Sequence, residues 1–270
     1  MDKIGKKIGF LGCGNMACAI ISGLLLKKAI SASDIIASDN FDEKIKVAKK
    51  NFKIKTTKDN NLVVKESDVI ILAVKPQVLR KAVEDVCTEI KKKVFISIAA
   101  GIQTSFIENI LKKRAPVIRV MPNIPALVGQ GISCICAGRF ARVKDLNIAK
   151  KIFLCVGKVE QVEEQMIDAV TSISGSGPAY FFYVCEAMIE CAKEFGFSDG
   201  VARAIVIQTI KGSSILLEKT GENPEVLRQK VASKGGTTES AIDIFEKNKL
   251  KNIIKKAVSA AYNRSKQLAR

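Results

Sequence analysis

The sequence predicts two domains: an α/β domain with a mostly parallel sheet over residues 1–162, then an all-α domain over residues 163–270. Three observations predict this. Short apolar runs of strand length alternate with amphipathic helical stretches through the first ~160 residues, the pattern of a parallel sheet with crossover helices. Strand-like runs then stop past Glu163. The first strand also runs straight into Gly12-x-Gly14-x-x-Ala17 and a helical stretch, the order strand, glycine turn, helix.

Ile8 to Leu11 is too short for a helix and right for a buried parallel strand. Gly12 permits a tight turn, Gly14 lets backbone approach a pyrophosphate, and Ala17 lets the next helix pack closely. That helix is read from Ala19, Ile20, Ile21, Leu24 and Leu25, and its positive end faces the turn. A second strand, Ile35-Ile36-Ala37-Ser38, ends at Asp39, about 20 residues beyond the motif, where a ribose-binding acid is expected. A dinucleotide site is the functional reading; a tight turn between packed elements is the bland one.

A helix over 41–50 and a short strand, Phe52-Lys53-Ile54, follow, then a brief helix over 62–66. The unbroken apolar run from Asp68 to Val74 implies a strand buried on both faces, stopped by Lys75-Pro76 at the carboxyl end where doubly wound sheets bind ligands. Helix 77–90 leads to strand 94–98 and the small residues Ala99-Ala100-Gly101. Helix 104–111, strand 117–120, an irregular loop at Met121-Pro122-Asn123-Ile124-Pro125, strand 131–137, helix 141–154 and strand 159–162 complete the first domain.

In the second domain, helix 166–173 is expected to break at Ser174-Gly175-Ser176-Gly177-Pro178. Helix 179–195 stops at Gly196, and helix 200–217 has Asp199 as candidate cap. Asn223-Pro224 opens a helix to Ala232, and helices 238–245 and 250–268 follow. The two long apolar helices carry more apolar surface than so small a domain can hide, which implies a subunit interface. The turn Ser233-Lys234-Gly235-Gly236-Thr237-Thr238 offers backbone N–H groups and threonine hydroxyls suited to a small carboxylate, or it is an ordinary capped helix start.

Composition narrows the function. A formal charge of +17 invites a nucleic-acid reading, but the lysines are spread along the chain and 6% aromatics leave few stacking platforms. A solvated basic surface is expected instead. The amino end imitates a secretory signal, yet Gly12, Gly14 and Asn15 interrupt its apolar run, and its removal would delete the first strand. With no other stretch expected to reach the ~20 apolar residues of a membrane span, a cytoplasmic protein without a membrane partner is expected. Eight cysteines without C-x-x-C spacing and no histidine argue against a metal site. Cys134 and Cys136 should share a strand face, while Cys13, near a helix N-terminus, is a candidate for a lowered thiol pKa.

Together these segments resemble pyrroline-5-carboxylate reductase over nearly the whole chain. The resemblance rests on Phe10-Leu11-Gly12-x-Gly14-Asn15-Met16-Ala17, Ala73-Val74-Lys75-Pro76, Ala99-Ala100-Gly101, Met121-Pro122-Asn123, Asp168-Ala169-Val170-Thr171, Ser174 to Tyr180 and Gly235-Gly236-Thr237-Thr238. It implies NADPH- or NADH-dependent reduction of 1-pyrroline-5-carboxylate to L-proline, the last step of proline biosynthesis. It also implies a Rossmann-type first domain and a helical second domain that forms a homodimer, often within a decamer. By that resemblance Leu11, Gly12, Cys13, Gly14, Asn15, Met16, Asp39, Asn60, Ala73, Val74, Lys75 and Pro76 line the cofactor, with Ala99 and Ala100 beside the nicotinamide. Glu164, Ser233, Gly236, Thr237 and Thr238 hold the substrate, Thr238 orienting it as the catalytic residue. Asp39 departs from the serine common in the family and leans the choice toward NADH; Lys234 replaces a common proline. The alternatives are a reductase of another cyclic imine or a β-hydroxy acid on the same fold, or a dinucleotide sensor without catalysis.

Overall fold

The computed structural model describes residues 3–86, 90, 92–112 and 114–268. They form two compact units: residues up to Ser176 together with those from Ala261 onward, and Gly177–Ala260. The sequence places a boundary at 162/163, whereas residues 163–176 and those from 261 onward cluster with the first unit.

In the first unit, eight strands among the described residues make one sheet: β1 Ile8–Leu11, β2 Ile35–Ser38, β3 Lys55–Thr57, β4 Val69–Leu72, β5 Val94–Ser97, β6 Val117–Met121, β7 Gly131–Ala137 and β8 Gly157–Gln161. Their order is β3-β2-β1-β4-β5-β6-β7-β8. The first six are mutually parallel, and β1 is the point where the winding reverses. Such a switch point opens a crevice at the carboxyl ends of the strands. The link from β6 to β7 is a short 3-10 turn, Ile124–Val128, too brief for a crossover, so β7 runs antiparallel to β6. The crossovers carry α1 Asn15–Leu26, α2 Asp42–Phe52, α3 Asn60–Glu66, α4 Pro76–Glu84, α5 Thr104–Leu111 and α6 Val143–Phe153.

Strand alternation sorts the core onto two faces. Ile8, Phe10, Ile71 and Ile96 pack with Ile20, Ile21 and Leu24 of α1, while Leu11, Ile70, Leu72 and Phe95 pack with Leu79 and Ile107. Full burial on both faces is why these strands read as unbroken apolar runs. Cys134 and Cys136 do share a buried face, packed on Ile167.

Several sequence expectations need correction. The strand expected at 52–54 lies at Lys55–Thr57, because α2 runs on to Phe52 and ends in a left-handed Lys53 (φ 55°) before Ile54 is buried. The helix expected over 77–90 is described from Pro76 to Glu84; residues 87–89 lie outside the described residues. The segment 174–178 does not break the chain path. After α7 Ile167–Val170, residues Thr171–Gly175 form a π turn, a single widened turn that keeps helical backbone, and α8 Gly177–Glu194 follows with Pro178 in its first turn.

The second unit is helical: most of α8, then α9 Asp199–Thr220, α10 Pro224–Val231, α11 Thr237–Lys247 and most of α12 Leu250–Leu268. Ser198, not Asp199, is the cap residue of α9; Asp199 instead pairs with Arg203 at 2.7 Å. Asn223 caps α10 as expected, accepting the Glu225 N–H at 2.9 Å. Within this unit Phe181, Phe182, Tyr183 and Ile207 all stand exposed. By length and composition α9 is apolar enough to cross a membrane, contrary to the expectation that no stretch approached that limit. Counting consecutive apolar residues missed it, because Arg203, Lys211 and Gly212-Ser213-Ser214 interrupt a helix that is apolar on average.

One glycine sets the β7–β8 edge. Gly157 has φ +151°, and a Cβ there would lie 1.9 Å from the Gly131 carbonyl oxygen. Gly157→Ala therefore combines backbone strain with a backbone clash and should lower stability by about 2–4 kcal/mol. A urea-unfolding midpoint unchanged by the substitution would refute this.

Candidate active site

Register brings the carboxyl ends of four strands to one level. Leu11 pairs with Ser38 and with Leu72, and Leu72 pairs with Ser97. The next residues, Gly12, Asp39, Ala73 and the Ile98-Ala99-Ala100 turn, therefore emerge along a single edge. Gly12 has φ +106°, and a Cβ on it would sit 2.6 Å from the Ala73 carbonyl oxygen, so only glycine lets β1 and β4 release their chains side by side. Gly14 is the cap position of α1, with no side-chain cap and open space where a Cβ would stand. The first-turn N–H groups at Asn15 and Met16 thus stand beside open space, as an anion such as a phosphate requires.

Asp39 closes this turn. Its Oδ2 accepts the Cys13 N–H at 2.9 Å and its Oδ1 the Phe41 N–H at 3.0 Å. Lys44 turns inward to 3.6 Å from Oδ2, its ammonium 4.6 Å from the centre of the Phe41 ring. The Ser38 hydroxyl donates to Asn60 Oδ1 at 2.6 Å, which draws Asn60 to the end of β2. Lys75 and Pro76 lie at the cap and first position of α4, Lys75 and Ala100 exposed, Ala99 buried with its N–H on Ser97 Oγ at 3.3 Å. All the residues expected to hold a dinucleotide thus share the sheet's carboxyl edge. They fit that group: a glycine cradle, a helix N-terminus, and a carboxylate at the end of β2.

The expectation for the Cys13 thiol is overturned. Burial, then the nearby Asp39 charge and Cys18, push it up to about 12, and Lys44 only partly opposes them. The helix terminus acts through backbone N–H groups, while the sulfur points into the core with the Ser38 carbonyl oxygen at 3.6 Å. None of the seven described cysteines forms a disulfide, and among the described residues no cluster of His, Cys, Asp or Glu could hold a metal.

A partly buried polar network, centred on Arg119 and without a local signature in the sequence apart from that residue, lies beyond β5. Glu164 accepts the Thr104 N–H through Oε1 and the Thr104 hydroxyl through Oε2, both at 2.7 Å. Arg119, on β6 and only 3% exposed, brings Nη1 to 3.5 Å from Glu164 Oε1 and Nη2 to 4.0 Å from Asp168 Oδ1. Asp168 Oδ1 also accepts the Ser265 hydroxyl at 2.7 Å. Asn123 of the Met-Pro-Asn loop accepts the Ile132 N–H at 2.9 Å and donates to the Ser174 carbonyl at 3.2 Å. The one signal for this network in the sequence is an arginine amid the apolar run Val117-Ile118-Arg119-Val120.

In the second unit, Gly235 (φ +73°) turns the chain and Gly236 occupies the cap position of α11, with no side-chain cap. Thr237 and Thr238 are the first two helical residues, Ser233 is exposed and Thr238 half-buried. Glu239, which the sequence reading passed over, accepts the Gly235 N–H at 2.6 Å and fixes the turn.

A glycine-cradled switch point and a separate helical unit define the class: a dinucleotide-dependent oxidoreductase. Residues 7–101 match the family described as NADP oxidoreductase coenzyme F420-dependent, and residues 164–268 match pyrroline-5-carboxylate reductase dimerisation. The chain is 39% identical to a pyrroline-5-carboxylate reductase of Methanosarcina acetivorans over 98% of both chains. It is 36% identical to that of Arabidopsis thaliana over 97% of this chain and 95% of the relative. The solved reductase from Coxiella burnetii superposes with TM-score 0.91 at 34% identity, covering 98% of this chain and 99% of that one. The Plasmodium falciparum pyrroline carboxylate reductase, solved with NADP bound, gives 0.91 at 28% identity over 99% of this chain and all (100%) of that one. The chain belongs to the pyrroline-5-carboxylate reductase family.

Proposed function

We propose that this chain reduces 1-pyrroline-5-carboxylate to L-proline with NADPH or NADH. The observation that carries the reading is full-length identity of 39% to a reductase of that name, in a chain whose carboxyl edge keeps the glycine cradle intact. When bound, the dihydronicotinamide supplies the hydride for the imine carbon. A cyclic imine protonated on nitrogen is already electrophilic, so the chain's own task is positioning rather than strong acid catalysis. That agrees with the absence of histidine from the sequence. Leu11 to Met16 receive the pyrophosphate, Asp39 and Asn60 the adenosine ribose, and Ala73 to Pro76 with Ala99 and Ala100 the nicotinamide side. The Ser233–Thr238 turn holds the substrate carboxylate through its N–H groups and hydroxyls, aided by the Lys234 charge. Thr238 orients the ring nitrogen; at its usual pKa a hydroxyl is a poor acid.

Chains associate as homodimers through the helical unit, within a decamer as the larger assembly, in the cytoplasm and without nucleic-acid or membrane partners. The exposed aromatics of α8 support this, since monomers rarely leave so large an apolar face uncovered. Sedimentation at micromolar concentration should give a detergent-free oligomer; a stable, active monomer would end this reading.

The function is tested by following NADH and NADPH oxidation side by side with pyrroline-5-carboxylate, where no substrate-dependent oxidation with either cofactor would refute it. Thr238→Ala removes a hydrogen bond to a charged substrate and should cost about 1.5–3 kcal/mol, roughly ten- to a hundredfold in kcat/KM. Unchanged kinetics would remove Thr238 from the site. The Asp39 carboxylate suits ribose hydroxyls and repels a 2′-phosphate, which leans the choice toward NADH, while the inward Lys44 offsets part of that repulsion. Asp39→Ser should raise the NADPH-to-NADH ratio of kcat/KM, chiefly through KM, because the adenosine end lies far from the hydride. A ratio that does not move means Asp39 does not read the ribose.

A further inference from the structure

Glu164 is expected, by family resemblance, to touch the substrate; in this structure its carboxylate is also bonded to the chain itself. Both oxygens accept from Thr104 at 2.7 Å, and Arg119 stands 3.5 Å behind Oε1. These are charge-assisted bonds, about twice as strong as neutral ones. The geometry has a different use. The cap residue of α5, Gln103, makes no side-chain bond to the helix, so Glu164 supplies the missing cap from 60 residues away. A negative charge at that end also complements the helix dipole.

The stretch just before α5 is the Ala99–Gly101 turn on the carboxyl edge. It is tied at one end by the Ala99 N–H on Ser97 Oγ, at 3.3 Å, and bends at Gly101 with φ +77°. Its other end is Thr104, whose N–H and hydroxyl are held by Glu164. We propose that Glu164, backed by Arg119, is a positioning residue that grips Thr104 and so fixes the Ala99–Gly101 turn against the nicotinamide. Arg119 has few other outlets: it is 3% exposed, and its Nη2 makes no hydrogen bond among the described residues. Its charge is therefore directed at Glu164 and Asp168, and it holds the Glu164 carboxylate in place as the cap.

This inference rests on the cofactor placement proposed above, and its test separates the two. Thr104→Val, Glu164→Gln and the double variant are prepared in the full chain, with Thr104→Ser as the conservative control. Each single variant should slow hydride transfer in single-turnover measurements by roughly tenfold, with KM for pyrroline-5-carboxylate changed by less than about twofold. Because both act through one contact, the double variant should be no slower than the worse single one. Thr104→Ser should retain the wild-type rate. Calorimetry supplies the readout that needs no turnover: Thr104→Val should weaken NADH but leave ADP-ribose, which lacks the nicotinamide, unaffected. Losses that multiply in the double variant, or a KM rise confined to Glu164→Gln, would place Glu164 on the substrate and overturn the proposal. Equal weakening of NADH and ADP-ribose would reduce the contact to general stability. Should Glu164→Gln fail to fold, the Val and Ser variants at 104 decide by calorimetry alone. A wild-type chain that binds NADH but never reduces the imine refutes the functional reading and leaves this one to the calorimetry.

Discussion

The parallel register at β1 is the constraint on which the dinucleotide edge depends. Because Leu11, Ser38, Leu72 and Ser97 stand level, the chain leaves four strands at one height, and the residues that follow meet without any long-range adjustment. A slip of one residue in any pair would turn core side chains to the wrong face, so two-sided burial enforces the level. Gly12 is the cost of that arrangement. Two strands releasing their chains side by side leave 2.6 Å between a Cβ and the Ala73 carbonyl, which no side chain tolerates. The same lack of side chains leaves the α1 terminus bare for an anion, so packing and binding impose the same residue type.

Arg119 extends this logic to the far half of the sheet. A guanidinium taken out of water is expensive, and loss of one partner leaves an uncompensated buried charge. Here the partners, Glu164 and Asp168, belong to the segment that leads out of the first unit, and Ser265, on the chain's return, bonds to Asp168. One buried cation therefore ties together the start of α5, the exit from the sheet and the last helix. A hydrophobic replacement of equal volume could pack as well, but it would not define where those three segments stop.

The helical unit obeys a different economy. Among the described large apolar residues of this unit only Val206, on α9, is buried, while Phe181, Phe182 and Tyr183 stand in solvent when one copy is taken alone. Its match to the dimerisation family accounts for that composition. An interface between subunits and a lipid-facing helix ask for similar average hydropathy, and α9 is long and apolar enough for either. Arg203 and Lys211 interrupt its apolar sequence.

What was legible in the sequence follows from how far apart the interacting residues lie. The glycine turn, the caps at Asn223 and Gly196, and the strands of the parallel core each depend on neighbours within a few positions, and these read correctly. Strand edges slipped where tertiary needs override local ones, as at Lys53, whose left-handed conformation closes α2. The Ser174–Pro178 stretch looked like a break because glycine and proline usually end helices, yet a π turn absorbs the extra residue. Cys13 misled for a related reason: proximity to a helix end was legible, but the direction of its side chain into the core was not. The Thr104–Glu164 pair, 60 residues apart, has no local signature at all. Only Arg119 hinted at it, since a lone cation within an apolar strand must find carboxylates somewhere, and a sequence does not say where.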